Sequence, residues 1–225
     1  MIQLSAITRC YRMGGNEVYA LAGIDLGIDA GAYVAITGPS GSGKSSLLNL
    51  IGCLDRPSSG RYLLDDEDVA QMDDERISAL RNRKIGFVFQ SFFLLPRLTV
   101  LENVLLPMRY AGAPDAGAEA RARGLLDRVG LSNRLDHKPG ELSGGQQQRA
   151  AIARALVRQP RLLLADEPTG NLDSRSAADV LGLIDELHAE GQTIVLVTHD
   201  AEVAARAPRH VRLRDGRIEG DDRRG

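Results

Sequence analysis

Lysine is nearly missing from this chain. Of 28 lysines and arginines in 225 residues, only Lys44, Lys84 and Lys138 are lysine. Cations as a group are not in excess either: a net charge of −2 excludes a chain-wide attraction to nucleic acid. Cysteine is sparse. Cys10 and Cys53 suit a reducing compartment, and Cys53, soon after Leu50-Ile51, reads as a small apolar packing residue rather than a disulfide or metal partner. No apolar run approaches the ~18 residues of a membrane-spanning helix, so none is expected. Met1-Ile2-Gln3-Leu4-Ser5 has no basic stretch leading into a long apolar one, so no signal peptide is expected. Phenylalanine is confined: all four fall between residues 87 and 93. What the chain does have is a 43% apolar content, enough for the core of one large domain or of a domain with an inserted lobe.

Two kinds of strand pattern are present. Near the N-terminus Ile24, Leu26 and Ile28 alternate with Asp25, Gly27 and Asp29, the period of an antiparallel strand with one wet face. Val34-Ala35-Ile36, Leu162-Leu163-Leu164-Ala165 and Ile194-Val195-Leu196-Val197 are continuous apolar runs, the pattern of parallel strands covered on both faces. Between 96 and 140 no buried strand is evident. There Val100, Val104 and Leu105, then Leu125, Leu126 and Val129, recur at helical spacing, with Pro107, Pro114 and Pro139 as punctuation. The patterns predict an α/β fold with a parallel core sheet, an antiparallel β part near the N-terminus and a helical lobe. They also predict a single domain over 1–225, with its core from 1–95 and 141–225 and the lobe inserted at 96–140. Residues 116–123, rich in Ala and Arg, read as a solvated helix face, and 220–225 as a frayed tail.

Gly38-Pro39-Ser40-Gly41-Ser42-Gly43-Lys44-Ser45 fits G-x-x-x-x-G-K-[ST], the phosphate-binding P-loop. An apolar strand, Tyr33-Val34-Ala35-Ile36, leads in, and a helical pattern from Ser46 to Ile51 leads out. The glycines let backbone N–H groups turn inward around an oxyanion, and the helix aims its positive end at the same point. One helix N-terminus stabilises an anion by only ~0.3–2 kcal/mol, so a triphosphate also needs the backbone cradle, Lys44 and a metal. In a chain so poor in lysine, its use here fits a need for a compact ammonium. Ser45 has the hydroxyl position that ligates Mg²⁺ in such loops.

Three more apolar strands end in functional groups. Ile85-Gly86-Phe87-Val88-Phe89 ends at Gln90, Leu162-Leu163-Leu164-Ala165 at Asp166-Glu167, and Ile194-Val195-Leu196-Val197 at Thr198-His199. Ligands in parallel sheets sit at the carboxyl ends of strands. An apolar run followed by Asp is a Walker B segment, with Asp166 on Mg²⁺ directly or through water. Glu167, one residue on, points elsewhere and suits a general base for the attacking water. The plainer alternative is that the two carboxylates merely cap the chain ahead of Pro168. A further stretch, Leu142-Ser143-Gly144-Gly145-Gln146-Gln147-Gln148-Arg149, opens a helix with Ser143 as N-cap and two bare glycines behind it. This is a second anion-binding helix start. One nucleotide needs only one such cradle, so the second acts on a nucleotide held by another subunit, unless it is simply a well-capped surface helix.

With Leu142-Ser143-Gly144-Gly145-Gln146 beside a P-loop, the sequence resembles the nucleotide-binding subunit of ABC (ATP-binding cassette) transporters over essentially its whole length. The resemblance implies the ABC ATPase fold, ATP and Mg²⁺ as cofactors, and ATP hydrolysis. It implies that Tyr11 stacks on adenine, although Tyr19 is close by and also precedes the P-loop. It makes 38–46, through Ser46, the Walker A segment and Gln90 the Q-loop residue, a ligand of the metal. It makes Ser143, Gly144 and Gly145 the signature that meets the γ-phosphate in trans, Asp166 the Walker B metal ligand, Glu167 the catalytic base and His199 the switch histidine. Gly170-Asn171-Leu172-Asp173 takes the place of the D-loop, departing from the commoner Ser-Ala-Leu-Asp, with Asp173 at its end. A narrower likeness to the MacB/LolD branch rests on residues 11–21, 95–104 and 169–173. That branch implies a homodimer in the ATP-bound state, a membrane permease as partner, no nucleic acid, and a peripheral place on the cytoplasmic face of the inner membrane. Phe87 and Phe89 read as core. Phe92, Phe93, Leu94 and Leu95 either line a groove for a partner helix or pack the helical lobe.

Two other classes share the motifs. ABC ATPases that act on DNA or ribosomes carry coiled coils, zinc modules or two cassettes, none of which is seen here. A cell-division-type regulator of wall hydrolases would differ only in its permease-like partner.

Overall fold

The computed structural model describes residues 1–13, 16–111 and 115–223. Gly14 and Gly15, Pro114 and the final two residues of the tail lie outside the described residues. In chain order the elements are β1 (Ile2–Met13), β2 (Asn16–Ile28), β3 (Tyr33–Thr37), α1 (Lys44–Ile51), β4 (Ser59–Leu64), β5 (Glu67–Asp68), α2 (Asp74–Lys84), β6 (Ile85–Phe89), α3 (Val100–Arg109), α4 (Ala118–Arg128), α5 (Gly144–Leu156), β7 (Leu162–Asp166), α6 (Ser174–Ala189), β8 (Thr193–Val197), α7 (Ala201–Ala204), β9 (Arg209–Arg214) and β10 (Arg217–Arg223). Contacts gather into two compact units, Met1–Ser78 with Gly191–Gly225, and Ala79–Glu190.

In the first unit β1 and β2 form a long antiparallel ladder, from Ile2 opposite Ile28 to Met13 opposite Asn16. β4 pairs with β1 on its other side, and β5 with β4. Ile24, Leu26 and Ile28 are buried and Asp25 and Gly27 exposed, the single wet face that the alternation requires. β3 runs parallel between β8 and β9, with Ile36 opposite both Val197 and Val211. Val34, Ala35, Ile36 and all of β8 are buried, which explains their unbroken apolar character. Cys53 is buried too, just past the end of α1.

The tail is not frayed through 223. β10 pairs with β9 as far as Arg223 opposite Arg209. Two carboxylates zip it down: Arg209 donates to Asp221 from Nε at 2.8 Å and Nη2 at 2.6 Å, and Arg212 to Asp222 at 2.6 Å. The Arg209 fork holds the Asp221 carboxyl below the usual carboxylate range. Asp221 therefore binds fewer protons folded than unfolded. The pair stabilises the fold above the ordinary Asp pKa near ~4, and that stability is lost as pH falls through the folded value below it. Asp221→Asn should cost about 1–2 kcal/mol at neutral pH. It should also flatten the decline of Tm on acidification, and superimposable Tm–pH curves for parent and variant would reject the role.

In the second unit β6 and β7 are parallel, with Phe89 opposite Asp166. Phe87 and Phe89 are only half-buried, so they are not core residues. Their rings stack at 5.5 Å on one face of the strand, and Phe93 meets Phe89 edge-on at 5.2 Å. Phe93 is itself 61% exposed. Between 96 and 140 the structure is helical. α3 begins with a reciprocal cap between Thr99 and Glu102, and Asn103, fully buried, ties the preceding loop to it: Oδ1 accepts from Leu95 N, and Nδ2 donates to the carbonyls of Leu95, Leu98 and Thr99. Pro107 lies inside α3 rather than ending it, and its carbonyl accepts from Asn82. The 116–123 stretch is not wholly solvated. Ala122 is buried and Arg121 turns in to donate to Val157 O at 2.8 Å.

Candidate functional site

Each unit carries functional groups at the carboxyl ends of adjacent parallel strands, where ligands bind in such sheets. In the first unit the loop after β3 is shaped by glycine. Gly38 has φ +150° and a Cβ there would lie 2.2 Å from the Leu213 carbonyl oxygen; Gly43 has φ +102° and its Cβ would lie 2.4 Å from that of Ala20. No other residue fits either place without moving backbone. Gly43 starts α1 without a side-chain cap, which leaves the first-turn amides to a ligand. Lys44 Nζ donates to the carbonyls of Gly38 and Pro39, each at 2.9 Å, so its charge sits across the mouth of the loop. Pro39, Ser40, Gly41 and Ser45 are exposed, Ser46 is half-buried and Ser42 is buried. The loop is braced from behind: Gly216, in the β9–β10 turn, donates to Ser42 O at 3.0 Å and accepts from Ala22 N at 2.8 Å.

Next to β3, the end of β8 carries His199. Thr198 N donates to Ile36 O at 3.2 Å, Thr198 Oγ1 accepts from Asp200 N at 3.0 Å, and Asp200 caps α7. Held on both sides, His199 is an exposed residue of a fixed turn. On β1, the Arg9 guanidinium lies 4.5 Å from the Tyr11 ring centroid. Tyr11 Oη donates to Asp55 at 2.9 Å, and Arg9 pairs with the same carboxylate oxygen at 2.7 Å. Tyr19 stands opposite Cys10 on the neighbouring strand and is 53% exposed.

In the second unit Gln90 follows β6, Asp166 closes β7 and Glu167 comes directly after it. Glu167 has φ +45°, a left-handed conformation that is strained for a residue with a side chain and ends the strand's alternation. Gln90 Nε2 donates to Asn171 Oδ1 at 3.2 Å, and Asn171 Nδ2 donates back to the Gln90 carbonyl at 3.1 Å. Ser143 caps α5: its Oγ accepts from Gln146 N at 3.3 Å, and Gln146 Oε1 accepts from Ser143 N at 3.0 Å. Gly144 and Gly145 form the first residues of that helix. Asp173 caps α6, accepting from the backbone N of Ser176 at 2.9 Å and of Arg175 at 3.1 Å, and from Ser176 Oγ at 2.7 Å. The Ser176 amide and hydroxyl hold its carboxyl below the usual range.

Two residues were not singled out from sequence. Gln148 is fully buried on α5 and donates to Pro168 O at 2.6 Å and Phe89 O at 3.3 Å, tying the ends of β6 and β7. Its signal was available: it falls on the helix face of Gly145, Ile152 and Ala155. Arg154, on the same helix, donates to the carbonyls of Phe92, at 2.7 Å, and Phe93, and burial lowers its pKa.

A family model described as "ABC transporter" matches residues 21–170. The chain belongs to the ABC transporter family. It is 54% identical over 225 residues to an ABC transporter ATP-binding protein of Thermotoga maritima, covering 100% of this chain and 96% of that one. It is 52% identical over 221 residues to the macrolide export ATP-binding/permease protein MacB of Hyphomonas neptunium, covering 98% of this chain. The chain spans 34% of that exporter's length. The dimeric post-hydrolysis structure of the ATP-binding cassette MJ0796 with ADP and Pi superimposes with a TM-score of 0.91 at 44% identity, over 100% of this chain and 99% of that one. The ABC ATPase therefore has the P-loop cassette fold, with parallel and antiparallel strands and helices, and it binds and hydrolyses ATP. Among the described residues no helix is long and apolar enough to cross a membrane.

Proposed function

We propose that this ABC ATPase is a peripheral subunit on the cytoplasmic face of the plasma membrane, and that two copies close head to tail around two ATP·Mg²⁺ to drive a membrane permease of the MacB/LolD type. The observation that carries this reading is the start of α5. Ser143 and Gln146 satisfy one another, and Gly144 and Gly145 open the helix N-terminus without side chains, Gly144 half-buried and Gly145 buried against Ser176. A chain that already has a complete phosphate loop has no use for a second cradle unless a twin supplies the nucleotide.

In this reading Tyr11 stacks on adenine by the ring face that Arg9 does not cover. Residues 38–46 wrap the phosphates, and Lys44 balances the charge that develops on the transferred group. The donors offered to the metal are the Ser45 hydroxyl, the Gln90 carboxamide and the Asp166 carboxylate. All are oxygens with a single carboxylate among them, which suits Mg²⁺ bound largely by phosphate and water. When bound, the metal neutralises charge on the β and γ oxygens. Glu167 takes a proton from water as its oxygen attacks the γ-phosphorus. The bond to the β–γ bridging oxygen breaks and ADP leaves. His199 bonds the γ-phosphate and reports its presence. Ser143 and Gly145 hold the γ-phosphate bound to the other copy, and Asp173 stands beside it. The γ-phosphate thus contacts both copies, which is the differential contact a ligand needs to shift open to closed.

Size-exclusion chromatography with light scattering tests this directly. Glu167→Gln protein with saturating ATP is expected to run as a dimer and to return to monomer with ADP. A monomer under both conditions, with or without the permease, would sink the reading. The exposed Phe93 beside Gln90 is the contact offered to the permease. Phe93→Ala should reduce permease co-purification several-fold and leave ATP affinity intact; unchanged co-purification removes Phe93 from the interface.

A further inference from the structure

A carboxamide ligates a hard cation through its oxygen, yet its two ends are nearly alike in size. Something has to choose between them at Gln90. The Gln90 backbone carbonyl can only accept, and Asn171 Nδ2 donates to it at 3.1 Å. That bond fixes the Asn171 amide and turns its Oδ1 toward the Gln90 side chain. Oδ1 can only accept, so Gln90 has to offer Nε2, 3.2 Å away. Gln90 Oε1 is then the end left outside the clasp. Gly170 packs against the clasp: a Cβ there would lie 2.6 Å from Gln90 Nε2 and 3.0 Å from its Cδ, so a side chain at 170 has to push the carboxamide aside.

We propose that Asn171, with Gly170, is a positioning residue that selects the oxygen-outward orientation of Gln90 and so presents a ligand atom to nucleotide-bound Mg²⁺. The departure of Gly170-Asn171 from the commoner Ser-Ala at these places is then functional. The inference rests on the reading of Gln90 as a residue that faces the cation. It deepens that reading by naming what orients it.

The test uses Mn²⁺ in place of Mg²⁺, read by electron paramagnetic resonance on the ATP complex of the full chain carrying Glu167→Gln, so that hydrolysis does not intervene. Asn171→Ala is expected to weaken Mn²⁺ binding about three- to tenfold, the worth of one or two exposed hydrogen bonds, and to leave ATP affinity in EDTA unchanged. Gly170→Ala, which keeps Asn171 but displaces the carboxamide, should do the same and serves if Asn171→Ala folds poorly. Gln90→Ala with Asn171→Ala should bind Mn²⁺ no worse than Gln90→Ala alone, because Asn171 acts only through Gln90. If Gln90→Ala weakens Mn²⁺ binding while neither Asn171→Ala nor Gly170→Ala does, the clasp is wrong and the Gln90 reading stands. Full additivity in the double variant also overturns the clasp. If Gln90→Ala itself leaves Mn²⁺ binding at the parent value, the Gln90 reading falls and takes the clasp with it.

Discussion

Glu167→Gln is expected to slow ATP turnover by about 10²–10⁴-fold while leaving ATP binding intact. The substitution keeps shape and hydrogen-bonding length but removes the ability to take a proton. Its backbone is held left-handed at φ +45°, which breaks the strand's alternation just past Asp166. The two carboxylates can then serve different partners, one the cation and the other the attacking water. Phosphate release at saturating ATP and titration with a fluorescent ATP analogue separate the two quantities. Near-parent turnover would reject Glu167 as the base. A loss of binding as large as the loss of turnover would make it a structural residue instead.

The second large effect is expected at Lys44. Its ammonium bonds the carbonyls of Gly38 and Pro39, so it closes the loop in which the proposed function places the phosphates. Lys44→Met keeps length and apolar stem and removes the charge. A charge-assisted hydrogen bond is worth about 1.5–3 kcal/mol, so ATP affinity should fall on the order of 10- to 100-fold and turnover should drop below detection. The rise in Tm that ATP gives the parent should shrink accordingly. Lys44→Arg should not rescue, because a planar fork cannot take the place of a compact ammonium within this loop. Parent-like binding and hydrolysis by Lys44→Met would mean that residues 38–45 are not where the triphosphate sits.

Much of this molecule can be read from residue order, and the reasons are physical. Burial on two faces demands unbroken apolar runs and burial on one face demands alternation, so β2, β3, β7 and β8 declared their surroundings. Phosphate loops need glycine and a helix start in a fixed order, so the glycine-shaped turn and the uncapped start of α1 are legible at residues 38–45 as well. What misled was information that a local pattern does not contain. Phe87 and Phe89 share a face by their period of two, but the period does not say whether that face is covered. The charged tail at 220–225 reads as frayed because the partners that pair it through 223, Arg209 and Arg212, lie across a hairpin. Arg121 reads as one of several surface arginines, and only the fold brings Val157 O beneath it. The clasp between Gln90 and Asn171 joins residues 81 apart in the chain, and only the odd Gly-Asn pair hinted that anything unusual stood there.

The bond from Gly216 to Ser42 has a practical side. Every diagnostic motif of this cassette ends by His199, so a protein trimmed to its motifs would look complete on paper. Cut ahead of Arg209, it would forfeit the β9–β10 turn whose Gly216 props the glycine loop from behind at Ser42. Tags and fusions belong beyond Arg223, where they leave that prop alone, and weak nucleotide retention in a shortened version would report on carpentry rather than on chemistry.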